Sequence, residues 1–322
     1  LATYNQNLLT VSERELLGIE TIKVIKSILL NIQKLRGFTN FYGFVYTNDT
    51  YDETSIQKYK EHINDLIKKL SKDFKTLQEK LEESKDKFEL KKDIEHLEEE
   101  IAKFNKNVFH IGINHFQKYS SFAQKVISLI TEVSDRSYLF SDVSKKKIVV
   151  LIDIITNIMP NLMENLGRLR AIGVQSINKK IKSLHDSTQL DLYMHISQNY
   201  IERFSSQIDL YIKDLNDIKE RDSVLEAKNK ILKEVNYFLR VANSDVKQPD
   251  IILIDKKYFF DLGEDILSIE NQFYNNIFDI LENDISSNVK LYSKKVRAGY
   301  VFDAVLGISV LSASSYFLYQ IF

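Results

Sequence analysis

The 322-residue sequence has no cysteine, two prolines, nine glycines and a formal charge of -1 at neutral pH. Without cysteine there are neither disulfides nor thiolate chemistry, which fits a periplasmic or a cytoplasmic address and decides neither. So little proline and glycine leaves little turn chemistry, and the abundance of Leu, Ile, Lys, Glu and Asn points to long helices. Acidic and basic residues are mixed along the chain, which excludes a polyelectrolyte surface and with it nucleic acid as a partner. None of the six histidines has an i, i+4 partner for a metal; the nearest two, His110 and His115, miss that spacing, and no metal or other cofactor is expected. A Gly-rich phosphate loop, a cysteine nucleophile and a nucleophile elbow are all missing, and the acidic run Glu98-Glu99-Glu100 reads as solvated surface, so no enzymatic activity is expected.

What is present is a 44% apolar chain with helical periodicity throughout. Long helices are predicted over about Val11–Phe44, Asp52–Leu81, Leu90–Phe104 and Ile113–Tyr138, with a polar loop at Thr47–Thr50 and a charged break at Glu82–Lys87. Ser141-Asp142 is a candidate cap for a helix running through Pro160 to about Ser183, bent where the proline removes a backbone donor. Helices over about Leu190–Ile218 and Val224–Asn243 follow, then a loop through Pro249, a short extended piece at Ile251–Ile254, and a final helix from Tyr258 without a breaker. The fold class is all-α.

Two segments echo each other: Asn31-Ile32-Gln33-Lys34-Leu35-Arg36-Gly37-Phe38, and Asn165-Leu166-Gly167-Arg168-Leu169-Arg170-Ala171-Ile172 in the second half. Stepping back in sevens from Arg36 reaches Leu29 and Ile22, and from Arg170 it reaches Met163. Both arginines therefore point into apolar packing. A guanidinium keeps its charge, so a buried one needs an anionic partner. Its planar fork suits a small anion with two oxygens, such as nitrate, nitrite or a carboxylate. Arg36 and Arg170 are the candidate ligand contacts, with Arg168, off the heptad positions, as a third. The alternative is that each pairs with an acidic residue of a neighbouring helix, Glu164 being the candidate for Arg170.

The run from Ala304 to Phe322 carries no charge and has the length and composition of a membrane span, following Lys294, Lys295 and Arg297. The chain opens on Leu1 and stops in or at the end of this run, as a piece of a longer polypeptide would. The expected organisation is a helical bundle over 1–140, a second over 141–300, and a transmembrane helix over 301–322. From Tyr258 onward, the last helix would be about 95 Å long at 1.5 Å per residue.

Four segments, in order, resemble the extracytoplasmic sensor of bacterial transmembrane receptors of the nitrate- and nitrite-sensing, tandem helical-bundle kind. They are Leu30 to Thr39, Ser121 to Ile127, Met159 to Ala171, and Tyr258-Phe259-Phe260-Asp261-Leu262-Gly263. The first is similar to the family's leucine-glutamine-lysine-x-arginine-glycine helix, with Leu35 before Arg36 where the family has glutamate. The resemblance implies two stacked four-helix bundles of long antiparallel helices, a homodimer, and a periplasmic domain on the bacterial inner membrane. It also implies a cytoplasmic signalling module in the same polypeptide, of a chemotaxis receptor or sensor kinase. A tail-anchored helical tether or scaffold and an α-helical pore-forming toxin are the alternatives.

Overall fold

A computed structural model describes residues 2–46, 52–110, 112, 114–140, 146–180 and 182–321; from 307 onward it describes the path of the helix but, Ser309 apart, not the side chains. The described residues form eight helices and no strand: α1 (Ala2–Tyr46), α2 (Glu53–Glu83), α3 (Lys91–Asn105), α4 (His115–Arg136), α5 (Lys146–Lys179), α6 (Leu184–Lys213), α7 (Ile218–Val241) and α8 (Lys256–Ile321). The chain is all-α, as its composition and periodicity predict. The expected Ser141-Asp142 cap and the Thr47–Thr50 loop lie outside the described residues. Ile251–Ile254 is not a strand; the Ile252 amide instead donates to the Lys180 carbonyl where α5 ends in a left-handed turn.

Helix starts follow local side-chain chemistry. Asp52, Asn114 and Asp217 each accept from amides in the first turn of α2, α4 and α7, and Ser183 with Asp186 forms a reciprocal capping box at α6. The stripe Ile63, Leu66, Leu70, Phe74, Leu77 and Leu81 is the buried face of α2. α1 is central rather than one-faced. Ile19, Ile22, Ile25, Leu29, Ile32, Leu35 and Phe41 are all fully or almost fully buried, and α1 packs against α2, α4, α5 and α8.

Neighbouring helices alternate in direction. Glu20 pairs with Lys80, and Asn31 with Asp73, across α1 and α2; Gln78 meets Glu98 across α2 and α3; Lys179 meets Asp186, and Asp153 lies beside Arg203, across α5 and α6. α1 and α8 are antiparallel, with Lys23 on Asp279 and Glu282, and Lys26 on Asn271 and Asn275. The buried apolar residues of the helices before and after residue 140 belong to one contiguous core, joined along α1, α5 and α8.

α5 is long and apolar enough to cross a membrane, but 67% of its most apolar window is buried inside the protein. It carries Glu164 and Arg170 within the core, so its hydrophobicity is that of a core helix. Five residues of α5, Ile154–Ile158, form a π-helical turn just before Pro160, where a bend was expected. α8 runs on beyond the bundle, with Tyr300, Val301, Phe302, Val305 and Leu306 exposed on it. The expected membrane span at Ala304–Phe322 continues as helix, but most of its side chains lie outside the described residues.

Candidate functional site

α1, α5 and α8 meet where two arginines cross. Arg36 of α1 and Arg170 of α5 are both fully buried, the inward orientation that the heptad spacing predicts. Each reaches to a glycine of the other helix. The Nη2 end of Arg170 lies over Gly37, and a methyl group placed on Gly167 would sit 2.6 Å from Nη2 of Arg36. Gly263 of α8 accommodates the stem of Arg170, whose Cδ would be 2.5 Å and Cγ 2.9 Å from an added methyl. These glycines are needed for close approach, since no side chain fits between the helices and the guanidinium groups.

The two arginines are not equally satisfied. Nη1 of Arg36 donates to Glu164 Oε1 at 2.5 Å and to Ser120 Oγ of α4 at 2.9 Å, and Nη2 donates to the Glu164 main-chain carbonyl at 3.4 Å, while Nε is buried without a partner. Glu164, 2% exposed, also accepts from Gln33 Nε2 at 3.2 Å and from Arg168 Nε at 2.7 Å. Three donors thus hold one buried carboxylate, compensating the cost of enclosing it. Burial disfavours the charge on Arg168, but the Glu164 carboxylate outweighs that and raises its pKa. Glu164, the acidic partner expected for Arg170, belongs instead to Arg36 and Arg168.

Arg170 donates through Nη1 to Glu264 of α8, and its guanidinium lies 4.8 Å from the Phe260 ring centroid. Its Nε and Nη2 are buried and have no hydrogen-bond partner. Burial and the charge of Arg36 push its pKa down to about 9. That value is still above neutral pH, so the guanidinium keeps its proton there. Glu264 has this arginine as its partner and is 21% exposed, whereas Glu164 is enclosed. The arrangement is a buried cation with two spare donors, neutralised by a carboxylate with a route to solvent.

The structure thus brings all three sequence-predicted residues to one crossing, Arg36 and Arg168 on Glu164 and Arg170 on Glu264. It adds Gln33, Ser120, Glu264 and the three glycines. Gly37 and Gly167 are visible within the echoed segments, and Glu264 directly follows the Tyr258–Gly263 segment. Ser120 carries no sequence signal, because its role depends on how α4 packs on α1. Among the described residues no group of His, Asp and Glu could hold a metal ion.

Fold and site together define an all-helical protein with a buried arginine-carboxylate crossing at the junction of three long helices. No protein-family model, no curated protein and no solved structure matches the chain.

Proposed function

We propose that this chain is the ligand-sensing region of a bacterial transmembrane signal transducer, and that Arg170 reads a small planar anion such as nitrate, nitrite or a carboxylate. The observation that carries this reading is the unequal satisfaction of the two arginines. Arg36 is held by Glu164 and Ser120 and leaves one buried donor, Nε, without a partner, while Arg170 leaves two and has one carboxylate partner with access to solvent. Glu264 acts as an internal anion that the ligand displaces. A planar anion then offers two oxygens to the guanidinium in low dielectric, where each charged hydrogen bond is strong.

Displacement has a mechanical consequence because Glu264 lies on α8, the helix that continues to Ile321. Releasing its ion pair changes how α8 sits against α5, and the ligand shifts that equilibrium only by its differential affinity for the two arrangements. In this reading the helices before and after residue 140 are two four-helix units packed along α1, α5 and α8. The domain lies in the periplasm as a homodimer, α8 enters the inner membrane, and a cytoplasmic module of the same polypeptide receives the signal. α1 and α8 being antiparallel, with Lys23 level with Asp279 and Glu282, supports this, since it brings the start of α1 and the exit of α8 to one end of the bundle.

Calorimetric titration with sodium nitrate, nitrite and acetate tests the proposal. Binding of at least one anion to the wild type, lost in Arg170→Ala, is expected. Absence of heat with every anion, or equal heat in Arg170→Ala, would leave the crossing as a fold-specifying ion-pair network.

A further inference from the structure

The π turn in α5 and the buried tyrosine opposite it form a second connection to α8, separate from the arginine crossing. In a π turn each amide reaches back five residues rather than four. The amide of Met159 donates to the Ile154 carbonyl. By the same pattern the amide of residue 160 should donate to Ile155. Residue 160 is proline and has no N–H. The Ile155 carbonyl is therefore left without its main-chain donor, in a stretch where Ile154, Ile155 and Ile158 are fully buried. A buried carbonyl left unpaired is costly, and the group that fills it comes from another helix: the hydroxyl of Tyr274 on α8 donates to it.

Tyr274 itself is fully enclosed. Its ring stacks on Phe278, with centroids 5.1 Å apart, and the ammonium of Lys26 on α1 lies 5.4 Å from its centre. That ammonium is held at 2.5 Å and 2.6 Å by Asn271 and Asn275, which flank Tyr274 on α8. One turn of α8 thus grips α1 through Lys26 and α5 through a main-chain gap.

We propose that Tyr274 is a latch that closes the proline-made gap in α5, so that movement of α8 opens the π turn. Sliding α8 by an ångström or two takes the hydroxyl out of hydrogen-bond range, because such bonds weaken steeply beyond about 3.2 Å. The Ile155 carbonyl then has no donor, and the turn loosens. The latch requires no ligand and stands whether or not Arg170 binds an anion.

The test is a double-mutant cycle between Tyr274→Phe and Pro160→Ala, read by thermal unfolding and by amide hydrogen exchange over residues 156–161. Tyr274→Phe alone should lower the Tm and speed exchange at these amides by about tenfold, the effect of one lost buried hydrogen bond. In Pro160→Ala the new amide supplies Ile155, so adding Tyr274→Phe should change the Tm and exchange much less. Equal effects of Tyr274→Phe in both backgrounds would overturn the latch and leave Tyr274 as packing. If Tyr274→Phe alone does not fold, recovery of folded protein by the added Pro160→Ala is the supporting result, and failure to recover it is the contrary one.

Discussion

At the scale of single residues, the core encloses several ionisable groups whose costs differ according to their partners. Arg36 and Glu164 are buried but paired with each other, although Arg36 Nε has no partner, whereas Glu270 of α8 is fully buried with neither carboxyl oxygen hydrogen-bonded. Enclosure raises its pKa well above the ordinary value of 4.5. The folded protein therefore holds a proton on Glu270 at pH values where the unfolded chain has released it. Above the unfolded pKa the folded state binds more protons, so this residue's destabilising effect is absent in acid and grows as pH rises. Glu270→Gln should leave stability nearly unchanged near pH 4 and raise it at pH 7, with the difference growing by at most about 1.4 kcal/mol per pH unit. Urea unfolding of both proteins at the two pH values measures this, and a pH-independent difference would contradict it. Heptad spacing already placed Arg36 and Arg170 inside. Glu270 lies on the apolar stripe of its helix, four residues after Ile266 and three before Phe273, so the spacing that directs the arginines inward applies to it as well; that it has no partner there depends on how the helices pack.

At the scale of elements, the crossing of α1, α5 and α8 depends on glycines that let guanidinium groups lie against neighbouring helices. An exposed helical Gly→Ala change is ordinarily stabilising by about 1 kcal/mol. At Gly263 the added methyl would sit 3.2 Å from Cβ of Arg170 as well as close to Cγ and Cδ, so the stem and not merely its flexible end must move. Gly263→Ala should therefore destabilise by about 1–3 kcal/mol. In an Arg170→Ala background most of that penalty should disappear, because the colliding stem is gone. Chemical denaturation of the four proteins of the cycle checks it; an additive result would mean that Gly263 matters for some other contact. The existence of each helix was legible from the three-four spacing of apolar residues, as in Ile63 to Leu81. Which acidic residue serves which arginine was not, because Glu164 shares a helix with Arg170 but is directed to Arg36 on α1. The π turn was not legible either, since Pro160 announced an irregularity without fixing the form it took.

At the scale of the whole molecule, α8 is the element on which everything converges. It contacts α1 through Lys23 and Lys26, α5 through Glu264 and Tyr274, and α7 through the Tyr237–Tyr258 hydroxyl pair. Its 66 residues make it the longest helix described, so a change at Glu264 acts on an element that reaches far outside the bundle. The proposed sensing rests on Glu264 occupying the place of the external anion at Arg170. Nitrate affinity of Glu264→Gln relative to wild type, measured by calorimetry at fixed ionic strength, tests this most directly. Removing the internal carboxylate while keeping its shape should tighten nitrate binding by about tenfold or more, corresponding to about 1.4 kcal/mol of relieved competition. Unchanged or weaker binding in Glu264→Gln would contradict it.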